Sequence, residues 1–214
     1  MTSRTNWTSR QILKGSGGGE NIGFYGGHPR GIRANLWPRC AVCGAPMCHM
    51  MQIDAGLAVD LGGYERMSVF ICHATGGRCE DWNPNKGANK VLLHAEKDDT
   101  LYDGPPTVRV YRRTRLVPGE PVDELALMRR VKANELTMSQ ALSSIKHDKV
   151  GGGAVWLQGE DTPKSKTGPG NMRLAVQFTT DVVSFDITPG GMGYIFLDPN
   201  DVSPEAAYFM WQSG

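Results

Sequence analysis

Cys40 and Cys43 are the residues whose type and spacing point most directly to chemistry. Two thiolates in a Cys-x-x-Cys turn can grip one metal ion, and Gly44 suits such a turn because glycine tolerates a positive φ. A closed tetrahedral site needs a second pair. Cys72 and Cys79 can supply it, with His73, Cys48 or His49 as substitutes, and a set of three or four thiolates suits a structural zinc ion. The wide gap between Cys72 and Cys79 leaves two other readings open. Cys40 and Cys43 can be the relic of an ancestral site, with Cys48 and Cys72 as small core residues in strands. Redox chemistry is the third, and the lack of a βαβ pattern after the pair counts against it.

Other chemistry is less well supported. The chain contains no H-E-x-x-H, no G-x-S-x-G and no dinucleotide-binding glycine fingerprint. Around Lys164-Ser165 a phosphate loop fails for want of glycine at Pro163, so a solvated turn is expected. Gly151-Gly152-Gly153 reads as a bend entering a strand. His28, His49, His73, His94 and His147 are scattered without helical pairing. Asp54 with Asp60, and Glu160 with Asp161, read as loop charge. Arg109, Arg112, Arg113 and Arg115, followed by Arg129, Arg130 and Lys132, make a basic stretch with Tyr111 inside it. Acidic neighbours dilute it, and the formal charge of the chain is only +1, which argues against nucleic acid as a partner.

The elements that must carry these residues are short strands. Gly at 27 and Pro at 13 are abundant enough in 214 residues to favour turns over a helical bundle. Residues 1–21, ending in a Gly/Ser run, read as a flexible N-terminal arm. Residues 22–214 read as a single duplicated β-rich domain. Repeat one spans 22–95, a connector with helices spans 96–149, and repeat two spans 150–214. Strands are expected at 49–53, 67–72, 107–113, 154–158, 174–178, 182–187 and 193–197. The helical stretch, 123–147, places Leu125, Met128 and Val131 on one face. Thr137 and Gln140 form a capping box that restarts a second helix carrying Ala141, Leu142 and Ile145.

The repeat rests on four coincidences in order. Ile22-Gly23 matches Val150-Gly151. Met47 precedes Gln52 as Met172 precedes Gln177. An aromatic follows in each half, Phe70 or Phe196, and each half closes on a tryptophan, Trp82 or Trp211. The fold class is therefore mainly β (α+β), with two similar antiparallel β units packing their apolar faces together.

The stretch Val150–Gln158 resembles the I-G-G-x-P-x-W-x-Q opening of the YwqG-like bacterial family, which is distantly similar to programmed cell death protein 2. Trp37–Met47 resembles its P-x-C-x-x-C-G-x-x-M element, and Gly193–Phe196 with Met210–Gln212 its closing pattern. The first half departs from the pattern, since no Trp-x-Gln follows Gly26-Gly27-His28-Pro29. The resemblance covers about residues 22–95 and 150–212. It implies a duplicated β fold and no particular reaction. With the missing catalytic set, it leads us to expect a non-enzymatic protein-binding protein. The sharpest version is an immunity protein neutralising a toxin encoded nearby; the alternative is a zinc-stabilised scaffold or chaperone-like adaptor. The chain lacks a signal-like or membrane-spanning apolar run, so a cytoplasmic location without membrane contact is expected. The sequence does not say which surface binds the partner.

Overall fold

The structure is a computed structural model and describes residues 8–15, 20–56, 59–74, 76, 78–95, 97–145, 147–179 and 190–214. Among the described residues ten strands form one antiparallel sheet: β1 (Thr8–Lys14), β2 (Gly23–Tyr25), β3 (Cys48–Asp54), β4 (Arg66–Ile71), β5 (Asn89–His94), β6 (Thr114–Asp123), β7 (Lys149–Gly151), β8 (Arg173–Thr179), β9 (Met192–Leu197) and β10 (Ala207–Gln212). Two short helices, α1 (Glu124–Lys132) and α2 (Met138–Ser144), join β6 to β7. The order across the sheet is β10-β9-β8-β7-β1-β6-β2-β3-β4-β5. The sheet curls into a nearly closed barrel, bringing its two end strands together: Leu93 N–H donates to the Pro204 carbonyl (3.2 Å) and Lys90 pairs with Glu205 (3.8 Å).

The internal repeat takes a definite form. β2-β3-β4-β5 and β7-β8-β9-β10 are two four-stranded meanders of the same topology. Their registers agree residue for residue. Gln52 lies opposite Ser68 as Gln177 lies opposite Tyr194, and both ladders carry a bulge at the same place, between His49 and Met51 and between Leu174 and Val176. The two ladders thus share the position of the bulge as well as the register. The two copies also enter alike. Gly26 and Gly27 (φ 67° and 66°) correspond to Gly151 and Gly152 (71° and 73°), a left-handed pair that L side chains rarely adopt. A Cβ on Gly152 would also collide with the Glu124 carboxylate.

The matching of the two halves needs two corrections. Val150-Gly151 corresponds to Tyr25-Gly26 and not to Ile22-Gly23, because Val150 pairs with Val176 as Tyr25 pairs with Met51. Trp211 lies in β10, where its counterpart across the repeat is Leu93 of β5; Trp82 lies in the loop before β5.

The meanders meet edge to edge through β1 and β6. β1 pairs with β6 and β7, and β6 pairs with β1 and β2. Residues 8–14, expected in a flexible arm, are thus a strand in the middle of the sheet. Ile12 is 2% exposed and fills the shared core, while the polar residues around it disguise the strand's alternation. The strand expected at 107–113 is absent, and the regular segment begins at Thr114. β6 runs on through Pro118 and Pro121, which pair with Ile12 and Arg10 of β1; β2 pairs only with Thr114–Leu116, so on that side of the far end no N–H need be given. Residues 154–158 also form no strand. The segment expected at 182–187 lies outside the described residues.

The helices follow their signals. Thr137 Oγ accepts from the Gln140 N–H (3.2 Å), and Gln140 Oε1 accepts from the Thr137 N–H (2.9 Å), closing the capping box. Asp123 caps α1 by accepting from the Ala126 N–H (2.8 Å).

Alternation along the strands builds one core inside the curl, with Met67, Val69 and Ile71 on β4, Val176 and Phe178 on β8, and Phe209 on β10. Each meander also buries a patch on its outer face. In the first copy Trp37 meets Phe70 edge-on (5.3 Å). In the second Trp156 stacks on Phe196 (5.8 Å). Phe70 and Phe196 are counterparts, so each copy uses the same strand position as an anvil for a tryptophan from its own loops.

One polar contact ties α1 to the sheet. Lys149 on β7 donates to Glu124 Oε1 (2.6 Å) and to the Gly153 carbonyl, and the Gly153 N–H donates to Glu124 Oε2 (2.7 Å). Both side chains are almost fully buried. Burial pushes the Lys149 ammonium below its ordinary pKa, and Glu124 opposes that by stabilising the charged form. Glu124→Ala leaves a buried ammonium without its counter-charge, held only by the Gly153 carbonyl, and leaves the Gly153 N–H without its partner. It should lower unfolding stability by about 3–5 kcal/mol, read from the midpoint of urea denaturation at unchanged m-value. A loss under about 1 kcal/mol would mean that water replaces the carboxylate.

Candidate metal centre

The four cysteines named for a metal come together. The sulfurs of Cys40, Cys43, Cys72 and Cys79 all lie within 4.8 Å of one another. Cys40, Cys72 and Cys79 are buried, and Cys43 is at the surface. Cys43 and Cys72 are 3.6 Å apart, a non-bonded separation. A tetrahedral zinc–sulfur site, with bonds of about 2.3 Å, has sulfurs about 3.8 Å apart. The cluster fits that geometry with small side-chain adjustments, and four soft sulfur donors suit zinc.

Local structure explains the convergence. The Cys40–Cys43 turn is a knuckle: the Gly44 N–H donates to the Cys40 carbonyl (2.9 Å) and the Cys40 N–H to the Ala45 carbonyl (2.9 Å). Gly44 has φ 73°. Arg39 clamps the turn from outside through the Gly44 carbonyl (3.0 Å). Cys72 follows β4, and its N–H donates to the Ala88 carbonyl (2.8 Å). Cys79 comes from the loop between β4 and β5. Those two strands pair along their whole length, so the loop folds back over the knuckle, where the Ala41 N–H reaches the Gly87 carbonyl (2.8 Å). The thiols differ in acidity. Donation from the Ala45 backbone lowers the pKa of Cys43, whereas burial pushes Cys72 well up.

The second copy keeps the frame of this site without its cysteines. Met172 N–H donates to the Pro163 carbonyl (2.8 Å) as Met47 N–H does to Pro38 (2.9 Å), and Ser165 N–H donates to Gly170 (3.0 Å) as Cys40 N–H does to Ala45. The isolated bridge Arg39–Pro46 has its counterpart in Lys164–Asn171. Ser165 therefore stands where Cys40 does, Gly168 where Cys43 does, and Asp198, just after β9, where Cys72 does. Hydrogen bonds now hold the turn: Ser165 Oγ accepts from the Gly168 N–H (3.0 Å), and Asp198 Oδ2 accepts from the Lys166 N–H (3.0 Å). The loop carrying Cys79 is longer than its counterpart between β9 and β10, so that ligand has no equivalent.

The proposed substitutes stand elsewhere. Cys48 packs in the shared core. His73 Nδ1 is 2.6 Å from the Tyr111 hydroxyl. His49 is buried between Phe70 and Phe24 (5.3 and 5.8 Å), with Nδ1 against the Gly27 carbonyl (2.9 Å). The basic stretch forms no single strand face: Arg109, Arg112 and Arg113 precede β6 while Arg115 lies in it, with Arg113 over Phe24 (3.6 Å) and Arg109 over Tyr111 (4.9 Å).

Two polar clusters escaped sequence reasoning. Asp54, read as loop charge, ends β3 and is buried, pairing with Arg66 (2.8 Å) and Arg30 (2.6 Å); Asp99 bridges the same two arginines. Nearby, Ser68 Oγ lies 3.0 Å from His94 Nε2 and accepts from Gln52 Nε2 (2.9 Å). Ser68 is 0% exposed, so its hydroxyl meets these two partners and not solvent. Its counterpart is Tyr194, which faces Gln212 as Ser68 faces His94. The only signal in the sequence was Gln52 and Gln177 themselves. Their side-chain oxygens accept from loop N–H groups at equivalent places, Arg30 (3.1 Å) and Val155 (2.8 Å). In the second copy Gln212 does the same for Leu157 and Gln158 (3.1 and 3.0 Å), which is why 154–158 lies on the sheet without becoming a strand.

Comparison with known protein families and with curated proteins finds no match to this chain. Among the described residues no helix is long and apolar enough to cross a membrane.

Burial lowers the His49 pKa from 6.5 to about 4. The unfolded chain therefore binds a proton that the folded chain refuses. Stability should fall as pH drops through 6.5 and level off, for this group, below about 4, a loss of about 3 kcal/mol. Denaturation midpoints from pH 7.5 to 4 should show this slope, and His49→Phe should flatten it. An unchanged slope in the variant would assign it to other groups.

Proposed function

We propose that this chain is a non-catalytic protein-binding protein whose β scaffold is stabilised by zinc at Cys40, Cys43, Cys72 and Cys79. The observation that carries the metal reading is the convergence of four thiols from three separate segments. Four protein sulfurs complete a tetrahedral shell and leave no open position for substrate, the pattern of a structural site. The second copy supports the same view, since Ser165 and Asp198 keep a similar turn by hydrogen bonding. What both copies retain is the shape of the knuckle, and zinc serves that shape in the first.

The binding role rests on the resemblance to the YwqG-like family, and the Ser68–His94 pair is no open catalytic pair, since Ser68 is fully buried. Its sharpest form is an immunity protein that covers the active site of a toxin encoded nearby, which takes about 800 Å² from each partner. Co-purification with the product of an adjacent gene, and protection of cells expressing that product, test this form. Protection against no neighbouring gene product removes it. A chaperone-like adaptor would rest on the same zinc scaffold.

Elemental analysis of protein purified without chelator should find about one zinc per chain. Cys79→Ser should reduce that content, and a strong chelator should lower the thermal midpoint of the parent protein while leaving the variant's nearly unchanged. Zinc below about a tenth of an equivalent, with all thiols reduced, would remove the metal reading.

A further inference from the structure

Trp82, in the loop that begins just after Cys79, meets Trp211 of β10 edge-on at 6.1 Å and is still 42% exposed. Three residues back along β10, Tyr208 carries the Lys166 ammonium over its ring at 4.5 Å. These two pairs line one groove of about 490 Å³, together with Lys164. That volume falls in the range of small-ligand sites, about 300–1,000 Å³. The groove's parts are held in place. The Lys166 N–H donates to Asp198 Oδ2 (3.0 Å) while its ammonium rests on Tyr208. Gln212, buried on the floor, accepts from the Leu157 and Gln158 N–H groups (3.1 and 3.0 Å) and donates to the Gly159 carbonyl (3.1 Å). Neither Lys164 nor Lys166 has a carboxylate within ion-pair distance among the described residues. Asp161 is the one carboxylate lining the groove.

We propose that this groove binds a nucleoside diphosphate, with the base against Trp82 and the phosphates at Lys164 and Lys166. Three features select that ligand. Lys164 and Lys166 stand two positions apart and line the same groove, so two ammonium groups crowd one wall without an acid to offset them. A group with two or more negative charges relieves that repulsion and takes charge-assisted hydrogen bonds from both. Contact with Tyr208 keeps the Lys166 ammonium in the groove without neutralising it. The exposed indole of Trp82 offers a face on which a planar ring can stack. The third feature is the span. Trp82 sits on Trp211 and Lys166 on Tyr208, and three residues of strand separate these supports by about 10 Å. That is comparable to the reach from a base to the outer phosphate of a diphosphate, and more than a free base or a lone phosphate can bridge. A neutral saccharide would use the indole but leave the lysines unmatched, and an acidic peptide would match the lysines without supplying the planar ring. The Asp161 carboxylate can accept from ribose hydroxyls. This site stands independently of the protein-binding reading above.

The test is calorimetric titration of the full-length protein with ADP, GDP, CDP and UDP at low salt and without added metal. At least one should bind with a Kd below about 1 mM and quench tryptophan fluorescence. Its nucleoside and inorganic pyrophosphate should each bind about tenfold more weakly than the diphosphate. Lys164→Ala/Lys166→Ala should weaken the diphosphate and pyrophosphate alike, by about tenfold or more. Trp82→Ala should weaken the diphosphate by a similar factor, remove the quenching and leave pyrophosphate binding unchanged. Because Trp82 also packs on Trp211, circular dichroism checks that each variant is folded, and Trp82→Phe, which keeps a ring, should recover most of the affinity. Absence of binding by all of the diphosphates, equal affinity for parent and lysine variant, or a nucleoside binding as tightly as its diphosphate would overturn the proposal. So would maltotetraose or tetraglutamate binding more tightly than any diphosphate. Zinc content is measured separately on each sample, so a failure here leaves the metal scaffold and the protein-binding reading standing.

Discussion

The β1–β6 ladder is the joint on which the rest of this protein depends. Each meander presents one apolar face that no other part of the same meander covers, and a single four-stranded sheet of this length cannot shelter that face alone. β1 and β6 hydrogen-bond the first strands of both meanders into one continuous sheet, whose right-handed twist curls the two faces toward each other. The shared core then draws on both copies: Met67, Val69 and Ile71 from one, Val176, Phe178 and Phe209 from the other. Two strands from outside the repeats thus turn two half-structures into a barrel with one interior.

The two similar meanders solve the same local problem by different chemistry. Both need a tight turn pinned against the end of a core strand. The first copy gathers four thiols there, and the second uses Ser165 and Asp198. Both also carry a glutamine on the second strand of the meander that reaches out to hold a loop backbone. A side-chain amide can satisfy a loop N–H without committing the loop to a ladder, so the loops diverge in length and sequence while their anchor stays. The same freedom shows in the buried charges. Arg66, Asp54 and Asp99 form their network in the first copy only, and Lys149 with Glu124 occupy the second, where Phe24 is the counterpart of Lys149.

Closing a sheet completely removes its edges, and this sheet stops one ladder short of that. Trp82 and Trp211 meet by ring contact at the gap, and the Leu93 N–H to Pro204 carbonyl bond crosses it where a full ladder would otherwise run. The first copy's longer loop and the second copy's knuckle flank that gap, so the parts in which the copies differ most face each other across the opening.

Much was legible in the chain itself. The mainly β character follows from glycine and proline punctuation around short apolar runs, and the capping box at Thr137 and Gln140 announced α2, because both are local effects carried by neighbouring residues. The likeness of the two halves was visible because Met47 and Gln52 recur as Met172 and Gln177, at the entry to and on strands that share a register. The four cysteines could be named as one of three readings, because Cys40 and Cys43 have a metal-ligand spacing while Cys72 and Cys79 stand too far apart in sequence to decide it. Only the tertiary structure decided the rest. Whether Cys72 and Cys79 reach Cys40 and Cys43, rather than His49 or His73, depends on how β4 and β5 bring a loop back over the knuckle. Nothing along residues 8–14 shows that they are a central strand, because the hydrogen-bond partners that make them one come from residues more than a hundred positions away. Asp54 likewise looks like loop charge until Arg66 is set opposite it by cross-strand pairing. Local chemistry is written in the order of residues; pairing across a sheet is settled only when the chain folds back upon itself.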